Sequence, residues 1–200
     1  MKLSPNGRAL IQGFEGLSLK AYRDADGYSI GYGHFIGKDP SLASRTITAS
    51  EAEALFDQDL VKFDAVVSLE TPNALAHEHD AMVSLAYNIG TAGFSTSTVA
   101  RKMQLGDRQG AADAFLLWNK STGPDGVRRE NPVLVKRRAK ERDVFLNGYT
   151  QPGHFPTPPQ QSTDSSWPVH LASTSSPLRT ASLISVAAVA AAWLLHRFIH

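Results

Sequence analysis

The chain predicts an α+β protein, mostly helical, with one small sheet near its start and a separate apolar helix at its C-terminus. Three observations carry this. Apolar residues recur at helical spacing over most of residues 5–146, whereas alternation is confined to residues 20–36. Composition then changes at Tyr149, and a charge-free stretch closes the chain. Two hundred residues, 42% of them hydrophobic, suffice for one domain of about 150 residues and an appendage.

Ser4-Pro5 reads as the N-cap and first turn of a helix to about Glu15, with Leu10, Ile11 and Phe14 as its apolar run. Tyr22, Tyr28, Ile30 and Tyr32 alternate around the turn residues 24–27, where Gly31 and Gly33 allow close backbone approach. Thr48 and Glu51 form a capping box. Ala52, Leu55, Phe56, Leu60 and Phe63 follow at helical spacing, so this helix runs to about Leu69 and is long enough to bridge two lobes. Pro72-Asn73 ends it. A third helix covers about 74–88, shorter ones about 97–105 and 109–117, and Asn131-Pro132 opens a last helix to about Leu146. Residues 120–130 read as a loop.

Residues 149–180 hold 6 of the 11 prolines, many Ser and Thr, and only Asp164 and Arg179 as charges. Such a stretch buries too little to fold and reads as a linker with a reach of roughly 30 Å. Residues 181–195 carry no charge, and snorkelling of His196 and Arg197 extends the apolar run to 19 residues, 181–199, with Trp193 near an interface. The division is therefore 1–148 globular domain, 149–180 linker and 181–199 membrane anchor in a lipid bilayer. The start, MKLSPNGRAL, lacks the apolar core of a secretory signal. The alternative for 181–199 is a final core helix, which a 32-residue tether makes an awkward reading.

Charge is uneven. Residues 1–100 hold 7 Lys/Arg against 12 Asp/Glu, and 101–148 hold 11 against 6. Two oppositely charged lobes would suit an anionic polymer, and two ordinary solvated faces are the plainer account. Basic residues alternate with acids and not with exposed aromatics, so no nucleic-acid partner is expected. With no cysteine there is no disulfide framework. His77-x-His79 beside Asp80 falls on a helix where the two rings point apart, so no metal site and no cofactor is expected. His34, after a Gly-rich hairpin, reads as a structural hydrogen-bonder.

The candidate chemistry lies in FEGLSLKAYRDADGYSIGYGH, residues 14–34. Glu15 ends an apolar helix, Asp24 follows nine residues later at a hairpin, and Ser29 five after that. One carboxyl on an apolar shoulder and one in a polar turn form the acid and charge-bearing pair of a glycosidase. Asp26 is either a turn former or a stand-in for Ser29.

These residues, with TITASEAEALFDQDL (46–60), AMVSLAYNIG (81–90) and VLVKRRAKERDVFL (133–146), resemble the phage-type lysozymes, the muramidases of glycoside hydrolase family 24. The resemblance spans residues 4–147. It implies a two-lobed lysozyme-like fold acting on bacterial peptidoglycan, as a monomeric catalytic domain that cleaves between N-acetylmuramic acid and N-acetylglucosamine. It assigns the general acid to Glu15, the second carboxylate to Asp24 and a water-holding hydroxyl to Ser29. Ser29 stands where the family usually has Thr, and one residue closer to Asp24. Tyr32, Asn88, Trp118 and Arg137 are the candidate substrate contacts; bonding to loop backbone is the alternative for Asn88, and core packing or solvated charge for Trp118 and the basic stretch 128–138. Lytic transglycosylase action and a non-catalytic wall-binding or virion role are the alternatives. Where the body would act, on the wall from a host or virion membrane, is left open by Arg179 and Arg197, which flank the apolar segment and cancel as orientation signals.

Overall fold

A computed structural model of the protein describes residues 1–24, 27–123 and 125–149. Asp26, the proline-rich stretch after Tyr149 and the apolar segment 181–199 lie outside the described residues. Within them no helix is long and apolar enough to cross a membrane.

Helix α1 (Pro5–Glu15) begins as its sequence predicts. Ser4 Oγ accepts from Gly7 N at 3.1 Å, and Pro5 occupies the first turn. A three-stranded antiparallel sheet follows in the order β1 (Ser18–Asp24), β2 (Gly27–Gly31), β3 (His34–Gly37). A Cβ on Gly27 would stand 2.3 Å from Gly37 O, so only glycine lets β2 lie this close to β3. A short 3₁₀ turn (Pro40–Ser44), capped by Asp39, returns the chain to the outer edge of β1, where Lys20 pairs with Thr46.

Helix α2 (Ala49–Glu70) opens with the capping box of Thr48 and Glu51. Its 22 residues span about 33 Å, enough to join the sheet to the helical body. Near its start Phe56 packs on the Tyr32 ring at 4.9 Å. Further along, Phe63 packs on Tyr87 of α3 (Ala76–Ile89) at 5.0 Å. Helix α3 is the centre of the body, with every residue from Glu78 to Ala86 buried, and it contacts α1, α2 and α7. Gly90 (φ +82°) ends it and starts the one-turn α4 (Thr91–Ser95), pinned by buried Phe94. α5 (Thr98–Gln104), α6 (Arg108–Phe115) and α7 (Pro132–Asn147) complete the body.

Residues 120–130, read from sequence as a loop, hold a small ribbon of β4 (Lys120–Thr122) and β5 (Arg128–Glu130). Both strands are largely exposed, so no apolar alternation marks them. The ribbon is held instead by its turn, where Gly123 N donates to Val127 O and Asp125 Oδ1 accepts from Val127 N.

Both ends of the domain meet on α3. Asp80, buried, accepts Ser4 N at 2.9 Å, the Ser4 hydroxyl, and Tyr149 Oη at 2.9 Å. Its neighbour His79 faces Asp64, which also accepts Leu3 N. His77 is half-buried and turned elsewhere, so the His-x-His pair is split as helical geometry requires. No group of described residues could hold a metal ion.

Candidate active site

Glu15 is the last residue of α1, and Gly16 at φ +69° turns the chain out of the helix directly behind it. Arg137 of α7 fixes one of its oxygens, with Nη1 donating to Oε1 at 2.7 Å. The guanidinium lies over the Phe14 ring, 4.8 Å from its centroid, and Phe14 itself packs against the core. Arg137 also donates from Nε to Glu141 Oε1 at 3.0 Å and from Nη2 to Ser84 O at 3.1 Å. Glu141, fully buried, accepts a further bond from Ser84 Oγ at 2.6 Å. Arg138, equally buried, brings Nε to 3.1 Å from Glu141 Oε2 and donates from Nη2 to Asn88 Oδ1 at 2.9 Å.

The result is two cations and two anions, formally neutral, at the junction of α1, α3 and α7. A buried ion keeps its charge only when paired, and here each has a partner. Burial acts to lower the Arg137 guanidinium, but the charges of Glu15 and Glu141 outweigh it and hold the group above its ordinary value. Arg138 shares Glu141 without a well-angled bond, and burial brings it down to about 10. Glu15 Oε2 takes no hydrogen bond from a described residue and points the other way. A carbon built on Gly33, in the turn between β2 and β3, would stand 4.0 Å from it.

The sheet supplies the opposite wall. Across β1 and β2, Tyr22 pairs with Ser29 and Asp24 with Gly27. Asp24 and Tyr22 are two residues apart and share a face, which puts Ser29 diagonally across from Asp24. Ser29 Oγ donates to Asp24 Oδ2 at 3.3 Å. The shortened spacing therefore keeps hydroxyl and carboxylate in contact. Ser29 is itself buried, turned inward onto Asp24.

The other sequence-selected residues divide. Tyr32 turns into the core, away from the surface a substrate would reach. It is 3% exposed, and its hydroxyl donates to Glu53 Oε1 at 2.8 Å. Burial and that bond push it up to about 12. Its place in the alternation misled, because it sits in the turn after β2 and packs on Phe56. Arg137 also faces inward, 5% exposed, and contacts Glu15 in place of a ligand. Asn88 is half-buried with its oxygen bound by Arg138. Trp118 is half-buried against the core at the foot of the β4–β5 ribbon. His34 Nδ1 lies 2.8 Å from Asp59 Oδ2, the structural role expected of it.

Sequence reasoning passed over Glu141 and Tyr22, and took Arg138 only as part of a basic stretch able to meet ligand carboxylates. Glu141 and Arg138 had a legible signal for burial, two charged residues on the apolar face of the last helix beside Val144 and Phe145. Tyr22 had none, since it looked like any strand aromatic.

A family model described as phage lysozyme matches residues 12–141, which include Glu15, Asp24, Ser29, Arg137 and Glu141. The endolysin of Salmonella phage P22 is 40% identical over 151 residues, 74% of this chain and 99% of that protein. Among solved structures, the endolysin from Escherichia coli O157:H7 phage FAHEc1 is 37% identical with a TM-score of 0.67, covering 74% of this chain and 96% of that one. The muramidase domain of SpmX from Asticaccaulis excentricus is 33% identical with a TM-score of 0.67, covering 72% and 97%. The match runs through the paired-carboxylate hairpin, the bridging helix and the ion network of the last helix, and on that extent the chain belongs to the phage lysozyme family.

Proposed function

We propose that this chain is a muramidase, hydrolysing the β-1,4 bond between N-acetylmuramic acid and N-acetylglucosamine in peptidoglycan. One observation carries the reading: Arg137 locks Glu15 Oε1, leaving Oε2 turned toward a sheet wall that bears Asp24 and Ser29. Glu15 is then the acid that protonates the leaving glycosidic oxygen, and Oε2 is the oxygen that delivers the proton. Asp24 is the second carboxylate, holding the attacking water with help from Ser29. Inversion follows if that water enters opposite the leaving group. A lytic transglycosylase would need no water and no base beside the acid, and the Ser29–Asp24 contact gives this reading less support.

Residues 1–149 act as the catalytic domain, because Tyr149, expected in the linker, bonds Asp80 and packs on the core. The linker then runs to residue 180, and 181–199 is an anchor in the host or virion membrane. Sequence alone supports the linker and the anchor. The Leu, Ile, Val and Trp residues of the segment must supply the insertion energy, because alanine adds little.

One set of assays tests both parts. Glu15→Gln should abolish release of muropeptides from purified walls, a loss of roughly 10³-fold or more with the fold retained, since an amide cannot give up the proton. Products should carry reducing muramic-acid ends, and mass spectra lighter by one water, the anhydro form, would select the transglycosylase. The full chain should sediment with membranes and need detergent, while a 1–149 chain should be soluble and active. A full chain soluble without detergent would remove the anchor.

A further inference from the structure

We propose that the Tyr22 hydroxyl is a further catalytic group, donating a hydrogen bond to a sugar oxygen at the scissile bond. The proposal rests on the muramidase reading and adds a residue to it. Tyr22 stands on β1 two residues before Asp24 and opposite Ser29, on the face that carries both. The carbon position on Gly33 that lies 4.0 Å from Glu15 Oε2 lies 4.0 Å from Tyr22 Oη as well, so acid and phenol flank the same patch of turn. Gly33 has φ +93° and no side chain, which leaves that space open.

Its surroundings set it apart from Tyr32, Tyr87 and Tyr149, and its exposure from Tyr28, which is buried. Tyr32 bonds Glu53, Tyr87 bonds Tyr32 O and Tyr149 bonds Asp80, so all three use their hydroxyls inside the fold. Tyr22 is 40% exposed, and its hydroxyl bonds no described residue. Burial first, then the charges of Asp24 and Glu15, raise it above the ordinary phenol value, so it remains a neutral donor. Chemistry favours such a donor here. A sugar here presents ring and glycosidic ether oxygens that can only accept; Glu15 has one proton to give, and an ionised Asp24 has none to offer. Ser29 cannot answer them, being buried and turned to Asp24. A lysine or arginine in this place would pair with Asp24 and quench its charge, whereas a phenol supplies the hydrogen bond without neutralising either carboxylate.

The test uses the full-length chain on purified peptidoglycan, comparing wild type, Tyr22→Phe and Tyr22→Leu by kcat, KM and thermal midpoint. Tyr22→Phe keeps the ring and should lower kcat roughly 5- to 50-fold, with KM within about threefold, as expected for a hydrogen bond made in the transition state. Tyr22→Leu should lose at least as much. An active wild type with Tyr22→Phe within twofold of it overturns the role of Tyr22 and leaves the muramidase reading standing. So does a loss in Tyr22→Phe that tracks a falling thermal midpoint, which would make the residue structural. A wild type that releases no muropeptides sinks the reading itself and this proposal with it.

Discussion

The two walls of the candidate site are built by opposite means. On the helical side, Glu15 is held through Arg137 by a closed network of Glu141, Arg138, Ser84 and Asn88, in which the two arginines and Glu141 are almost wholly buried. On the sheet side, Asp24 and Ser29 share one contact of 3.3 Å on a short hairpin, and Tyr22 beside them is open to solvent. The difference fits the tasks proposed for the two carboxylates. A proton donor works from one oxygen in one direction, so its other oxygen must be immobilised, and buried ion pairs do that because breaking them is costly. A carboxylate that holds water needs solvent access and tolerates a looser mount. Glu53 joins the walls, bonding Arg8 and Gln12 of α1 on one side and Tyr32 of the sheet turn on the other.

Removing the shared anion should give the largest effect. Glu141→Gln leaves Arg137 and Arg138 buried against a single remaining carboxylate, Glu15, and should cost about 3–5 kcal/mol in urea unfolding. If Asp24→Asn costs as much, the contrast between a rigid and a loose wall is wrong. Ser29→Ala should be milder in stability, within about 1.5 kcal/mol for one hydrogen bond. Its activity should fall roughly 10- to 100-fold if the hydroxyl orients Asp24 or its water. Unchanged muropeptide release would mean the hairpin does this work with another group, and Asp26→Ala is then the variant to assay.

The smallest effect sits at the joint. Burial acts to raise the Glu53 carboxyl, but bonds from Arg8, Tyr32 and Gln12 outweigh it and hold the group below the ordinary 4.5. A carboxyl lowered in the folded state adds stability that is full above pH 4.5 and is lost as pH falls through the lowered value. Glu53→Gln should therefore lower the thermal midpoint slightly at neutral pH and flatten its fall on the acid side, so that the two proteins converge at low pH. An unchanged acid slope would show that the two walls are not coupled through this residue.

Most helices were legible because each carried its own punctuation. Ser4-Pro5, the Thr48/Glu51 box and Asn131-Pro132 stand at the observed starts of α1, α2 and α7. The 3₁₀ turn, α4 and the β4–β5 ribbon were not, since each is held by contacts distant in sequence or by turn bonds and not by an apolar period. The pairing of a hydroxyl with a hairpin carboxylate was also legible, since Ser29 does meet Asp24. The second rank of the site was not. Arg137 looked like a surface cation able to meet a ligand, and Tyr32 like a strand aromatic able to contact the substrate.

What the chain determined by itself is local: caps, periods, the paired carboxylates, and the blocks that resemble the family. Which face each polar residue takes was decided only by tertiary structure. Glu15 and Arg137 are 122 residues apart and meet only because α3 packs against both α1 and α7. A charged residue carries no mark of its burial, because desolvation and pairing are properties of the neighbours that folding brings to it. The same holds for Tyr22 and Tyr32. They are alike in sequence, yet one is left at the site and the other sealed onto Glu53, because the turn after β2 carries Tyr32 under α2 while β1 leaves Tyr22 at the edge of solvent.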